Sequence, residues 1–163
     1  MTPARILVVE DEEMVRRLAV TILSLEGYDV SAACDAETGR RMIAERKPDV
    51  VLMDRGLPGM DGTTLTRVLK TDVRTRSITI LAFSSNAARE DDAEAVAAGC
   101  DGFIAKPFDV EALLRTVRWH ALVRERRLGR PIHRQFTSEV AAVERPLGAV
   151  QCSPAQVPSA NAR

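Results

Sequence analysis

Four short apolar runs in this chain each stop at a polar residue, and that repeat restricts the fold more than any other feature. Ile6-Leu7-Val8-Val9 runs into Glu10-Asp11, Val50-Val51-Leu52-Met53 into Asp54, Ile78 to Phe83 into Ser84, and Gly102 to Ala105 into Lys106-Pro107. Each run reads as a buried strand. The intervening stretches read as helices. Met14, Val15, Leu18, Ala19, Ile22 and Leu23 share one helical face closed by Gly27, and Ala36 to Arg46 is stopped by Pro48. Further helices are expected from about Asp61 to Lys70, from Ala87 to Ala98 before Gly99, and from Asp109 onward, with a short extra strand over Tyr28 to Ala33. Strands alternating with helices at this spacing imply an α/β fold, a parallel sheet with helices on both faces. In such a sheet the carboxyl ends of the strands line the edge where ligands bind. Glu10, Asp11, Asp54, Ser84 and Lys106 therefore converge on one crevice.

With 163 residues, 45% of them hydrophobic, the chain can bury one ordinary core. Residues 1–123 carry 16 Lys+Arg against 20 Asp+Glu, a net of −4, whereas residues 124–163 carry 7 Arg against 3 Glu, a net of +4. An acidic body argues against a nucleic-acid-binding core. The run Arg124, Arg126, Arg127, Arg130 and Arg134 reads first as a solvated helix end favoured by the helix dipole, and second as a nucleic-acid contact. Cys34, Cys100 and Cys152 lack Cys-x-x-Cys spacing, which suits a reducing cytoplasmic setting, with Cys34 and Cys100 expected as buried thiols. No leader is expected, and no apolar stretch approaches the ~18 residues that span a bilayer, so no membrane partner is expected. From Gly129 onward the periodicity dissolves into Pro, Ala, Ser, Gln and Arg, so residues 1–128 read as one domain and 129–163 as a tail without a separate domain. Within that tail, Thr137 to Arg145 could form one short helix.

The last helix carries Val110, Leu113, Leu114, Val117 and Ala121 as a core stripe. At 100° per residue, Trp119 points about 180° away from Val110, near Ala112 and Val123. The single tryptophan is expected on the outer face, covered by the tail or by a partner.

Three carboxylates crowded at one crevice repel unless a cation sits among them, and oxygen ligands of that charge suit Mg²⁺. A carboxylate beside a metal can act as a nucleophile toward phosphorus, giving an acyl phosphate, while Lys106 balances oxygen charge and Ser84 donates a hydrogen bond. The stretches Val8-Val9-Glu10-Asp11, Asp54 with Pro58-Gly59-Met60-Asp61-Gly62, Phe83-Ser84-Ser85 and Phe103 to Phe108 together resemble the receiver domain of bacterial two-component response regulators. The single-domain chemotaxis receiver is the simplest form of that family. The resemblance covers residue 4 to about residue 126, and the intervals of 30 residues from Asp54 to Ser84 and 52 to Lys106 agree with it.

The resemblance implies a five-stranded flavodoxin-like sheet of order 2-1-3-4-5. It implies that Asp54 accepts phosphate from a sensor histidine kinase or a histidine phosphotransfer protein. Mg²⁺ would be held by Glu10, Asp11, Asp54 and the backbone carbonyl of Gly56. Ser84 and Phe103 would form the switch pair, and the Lys106-Pro107 bond would be cis. The role so implied is that of a signalling phosphoacceptor acting through protein contacts, not an enzyme beyond self-catalysed phosphorylation and dephosphorylation. Nucleic acid is not the expected partner, the downstream protein target is open, and so is a homodimer. The alternatives are a phosphorylation-independent scaffold, a metal-dependent phosphohydrolase, which would need an acid at Gly56, and a nucleic-acid binder acting through the basic tail. Five positions depart from the family pattern. Arg55 replaces an apolar residue, and it either faces solvent or adds charge near the phosphate. Gly56 and Asn86 replace larger side chains. Gly102 stands where regulators that dimerise before binding DNA usually carry an acid, and Thr116 replaces one of their arginines, which argues against that dimer interface.

Overall fold

The computed structural model describes residues 3–84, 93–127 and 129, with only the backbone at residue 84. The elements follow as β1 (Arg5–Val9), α1 (Glu13–Leu25), β2 (Asp29–Ala33), α2 (Ala36–Glu45), β3 (Val50–Asp54), α3 (Gly62–Thr71), β4 (Thr79–Ser84), α4 (Ala93–Ala98), β5 (Gly102–Ala105) and α5 (Val110–Arg127). The five strands form one sheet in the order β2-β1-β3-β4-β5, with every pairing parallel, as expected.

Alternate residues of a strand point to opposite faces, so each central strand feeds two cores. On one face Ile6, Val8, Val50, Leu52, Leu81 and Phe83 pack with Ala19 and Leu23 of α1 and with Leu113, Val117 and Ala121 of α5. On the other, Leu7, Val9, Val51, Met53, Ile78 and Ile80 pack with Ile43 of α2 and with Leu65 and Leu69 of α3. Most of these side chains are fully buried, and each Val, Leu, Ile, Met or Phe among them contributes about 1.5–3 kcal/mol by leaving water. Among the described residues no helix is long and apolar enough to cross a membrane.

The expected helical stripes are wider than the faces that are buried. Met14 is 74% exposed and Leu18 52%, while Ala19 and Leu23 carry the contact of α1 with the sheet. Six apolar positions spread over half the helix circumference, and one sheet face covers only part of that arc. Val110, in the first turn of α5, is 47% exposed, and the buried stretch runs from Leu113 to Leu122 and includes Thr116. Trp119 is half-buried on the opposite arc. Cys34 is exposed rather than buried, and its thiol donates to Asp35 at 3.3 Å. Cys100 is half-buried, and burial pushes its thiol pKa up. The expected helix over Ala87 to Ala98 falls inside the description only from Ala93. The short tail helix, Arg130, Arg134 and Cys152 lie outside the described residues.

Arg124 corrects the reading of the basic run as solvated throughout. Its side chain is 13% exposed, and Nη1 donates to Asp49 Oδ1 at 2.6 Å. Asp49 Oδ2 also accepts from the backbone N–H of Arg5 at 2.9 Å, so one carboxylate ties the far end of α5 to the start of β1. Breaking such a pair strands a charge in a poorly hydrated place. Asp49→Ala is expected to lower unfolding free energy by about 2–3 kcal/mol, less than a fully buried pair because both side chains keep some water. Urea denaturation at neutral pH measures it, and a loss below experimental error would show that Arg124 hydrates without cost.

Candidate functional site

The chain leaves β1 toward β2 on one side while β3 lies on the other, so the crevice between the ends of β1 and β3 is the topological switch point of the sheet. Glu10 follows β1 directly, and its backbone N–H donates to Ala33 O at 3.1 Å, at the end of β2. Asp54 is the last residue of β3, and Lys106 directly follows β5 and is joined to Pro107 by a cis bond. Ser84 ends β4 in register with Ala105.

Glu10, Asp11 and Asp54 offer carboxylate oxygens that all lie within 4.8 Å of one another. Glu10 is fully buried and Asp54 is 5% exposed, while Asp11 is exposed at the mouth. Lys106 Nζ reaches in from β5 and donates to Glu10 Oε2 at 2.7 Å and to Asp54 Oδ1 at 3.0 Å. Glu10 Oε1 accepts from the backbone N–H of Glu12 at 3.2 Å. The ammonium also stands 5.3 Å from the ring centroid of Phe83, an apolar wall that Phe108 extends at a centroid distance of 5.2 Å. Burial pushes the Glu10 carboxyl above its ordinary pKa, and the charge of Asp54 adds to that against the pull of Lys106. Burial opposes the Lys106 ammonium, but hydrogen bonds and charges from Glu10 and Asp54 outweigh it and raise its pKa. Three carboxylates face one ammonium, all donors are oxygen, and the cluster opens to solvent at Asp11 and Gly56. This donor set fits a hard divalent cation.

The surrounding residues explain why the carboxylates sit there. Asp61 caps α3 by accepting from the Thr64 N–H at 2.8 Å, and the bonds from the Thr64 hydroxyl and backbone hold its carboxyl below the usual range. The cap sets Gly62 against the end of β3, and a Cβ there would stand 1.8 Å from the Asp54 carbonyl oxygen. Gly62 is thus a steric requirement of the Asp54 position, a role that its place in the sequence motif does not reveal. Gly56 borders the carboxylate directly, since a Cβ there would lie 3.8 Å from Asp54 Oδ2. Arg16 matches no motif in the sequence, yet its Nη1 donates to the backbone carbonyls of Glu10 at 2.7 Å and Asp11 at 3.0 Å. A polar residue on an amphipathic helix carries no signal of such a bond.

Arg55 is half-buried rather than fully in solvent. Its side chain is 25% exposed, and Nη2 lies 3.6 Å from Glu94 Oε2 on α4. Gly102 has its own reason to lack a side chain, because a Cβ there would meet His120 Nε2 at 2.6 Å. Phe103 on β5 is half-buried, opposite Ala82 of β4. The Ser84 side chain and Asn86 lie outside the described residues.

The family model described as response regulator receiver domain matches residues 6–118. Response regulator PleD of Caulobacter vibrioides is 41% identical over 115 residues, which cover 71% of this chain and 25% of that protein. The matches to the first curated relatives span from 25% to 52% of their length. Among solved structures, chemotaxis response regulator CheY4 of Vibrio cholerae superimposes with a TM-score of 0.70 at 27% identity, covering 73% of this chain and 99% of that one. The receiver domain of sensor histidine kinase PA1611 from Pseudomonas aeruginosa, which has a magnesium ion coordinated in its active-site cleft, gives a TM-score of 0.68 at 29% identity, covering 74% and 98%.

Two outcomes test this geometry. Gly62→Ala must displace the Asp54 backbone and is expected to cost about 1–3 kcal/mol in unfolding free energy, with no loss if α3 can simply slide away. Glu10 has a raised folded-state pKa, so its contribution to stability is present below the ordinary carboxylate range and is lost as pH rises through the elevated value. In metal-free buffer the stability of Glu10→Gln relative to wild type is therefore expected to improve between pH 4 and pH 7. A flat difference in urea midpoints would show that Glu10 titrates normally.

Proposed function

The chain belongs to the response regulator receiver domain family, and on that premise we propose that Asp54 is its phosphoacceptor in a two-component phosphorelay. One observation carries the proposal. At the switch point Asp54 shares the Lys106 ammonium with the buried Glu10, in a cluster of three carboxylates.

Lys106 occupies Asp54 Oδ1, while Oδ2 borders the exposed Gly56, so Oδ2 is the oxygen available to attack. Its lone pair forms the bond to the phosphorus of a phosphohistidine on a sensor kinase or phosphotransfer protein. The phosphorus–nitrogen bond breaks with its electron pair returning to the imidazole, which takes up a proton on leaving. Asp54 is left as an acyl phosphate. Glu10, Asp11, Asp54 and the Gly56 carbonyl are the groups that would hold Mg²⁺, which supplies charge neutralisation for the transferring oxygens. Lys106 is already within hydrogen-bond reach of Asp54 and pairs with a phosphoryl oxygen from the other side. Ser84, at the end of the adjacent strand, donates its hydroxyl to the phosphoryl group, and Phe103 on β5 turns inward as the second member of the switch pair. The changed face of β5 and its flanking helices is then read by a protein partner.

Incubation of the full chain with acetyl phosphate and Mg²⁺ is expected to add one phosphoryl group, seen by intact-mass spectrometry. The adduct should be absent in Asp54→Ala and in the presence of a chelator. An unlabelled wild type, or labelling that survives Asp54→Ala, would defeat the proposal.

A further inference from the structure

We infer that Arg16 is a positioning residue for the cation site: it holds the backbone of the acidic loop so that Glu10 and Asp11 face Asp54. The inference rests on the reading of the carboxylate cluster given above, and it adds a residue outside that cluster.

The loop between β1 and α1 spans only residues 10–12, yet it must turn two acidic side chains toward a third carboxylate that repels them. One residue binds its three successive carbonyls. The Arg16 guanidinium donates through Nη1 to Glu10 O at 2.7 Å and Asp11 O at 3.0 Å, and the Arg16 backbone N–H donates to Glu12 O at 2.9 Å. Arg16 is half-buried, and its backbone belongs to the first turns of α1, which is itself packed on the sheet through Ala19 and Leu23. The loop is thereby fastened to a rigid element on its carbonyl side, and the side chains of Glu10 and Asp11 meet Asp54 within 4.8 Å. Asp11 gains most from this, because it is exposed and lacks the burial that confines Glu10.

Two effects of Arg16 on a cation have opposite signs. Its positive charge beside the acidic pair opposes a second positive charge. Its hydrogen bonds hold the ligands in place, and removing the bonds that orient a metal ligand weakens metal binding by about tenfold or more. The guanidinium charge is partly hydrated and so screened, while its bonds act directly on the backbone of both ligand-bearing residues, so positioning prevails.

Isothermal titration of Mg²⁺ into the full chain decides between them. Arg16→Ala is expected to raise the Kd about tenfold. Arg16→Lys keeps the charge but not the guanidinium fork, and should fall between wild type and Arg16→Ala. Arg17→Ala removes a neighbouring exposed arginine that pairs only weakly with Glu13, at 3.4 Å, and should leave the Kd unchanged. Thermal melts of the metal-free variants accompany the titrations. A lowered melting temperature with an unchanged Kd would make Arg16 merely structural and overturn the inference, as would tighter binding in Arg16→Ala. A wild type that binds no Mg²⁺ would remove the phosphoacceptor reading along with it, whereas normal wild-type binding with an indifferent Arg16→Ala removes the inference alone.

Discussion

Three carboxylates brought within 4.8 Å of one another, two of them almost out of water, form an arrangement that a chain must actively maintain. Two like charges at 4 Å repel by about 4 kcal/mol at an effective dielectric constant near 20. Lys106 offsets part of this by bonding two of the three, and it arrives from a strand two places away in the sheet. The stacking order β1-β3-β4-β5 is what allows it to do so. The apolar strands on either side of β3 fix the height at which each polar residue emerges, and the Asp61 cap with Gly62 fixes the depth of Asp54. The site is therefore the point where the register of the whole sheet becomes chemistry. Its residual negative charge is a property of the fold, not a defect in it.

Much of this was legible from residue order alone. Strand ends are marked by an abrupt change from apolar to polar, which places Glu10, Asp54, Ser84 and Lys106 at one edge from the sequence itself. Helix ends carry local chemistry too, and Gly27, with φ of +85°, closes α1 where its position implies. What escaped depends on partners distant in sequence or on space. Arg124 looks like a solvated arginine until Asp49, 75 residues earlier, is brought beside it. Met14 and Leu18 belong to a plausible apolar stripe, and only the finite width of the sheet face excludes them. Gly62 is one glycine among several, and its necessity comes from an atom of another element that approaches too closely for a side chain.

The departures from the family pattern gain physical content in the same way. Arg55 directs its guanidinium to Glu94, which joins the residue after Asp54 to α4, the helix between β4 and β5. Gly102 makes room for the imidazole of His120, so the edge strand is covered from α5 by a ring where an acidic side chain would otherwise project. An acid cannot be restored there without moving His120.

The Asp49–Arg124 contact also has a geometrical meaning. α5 is 18 residues long, about 27 Å at 1.5 Å per residue, and it begins four positions after Lys106. Its far end is pinned beneath the opposite edge of the sheet by that contact. α5 is thus fastened in two ways: by apolar packing of Leu113, Val117 and Ala121 along its length, and by charge at its base, where both partners are only 13% exposed.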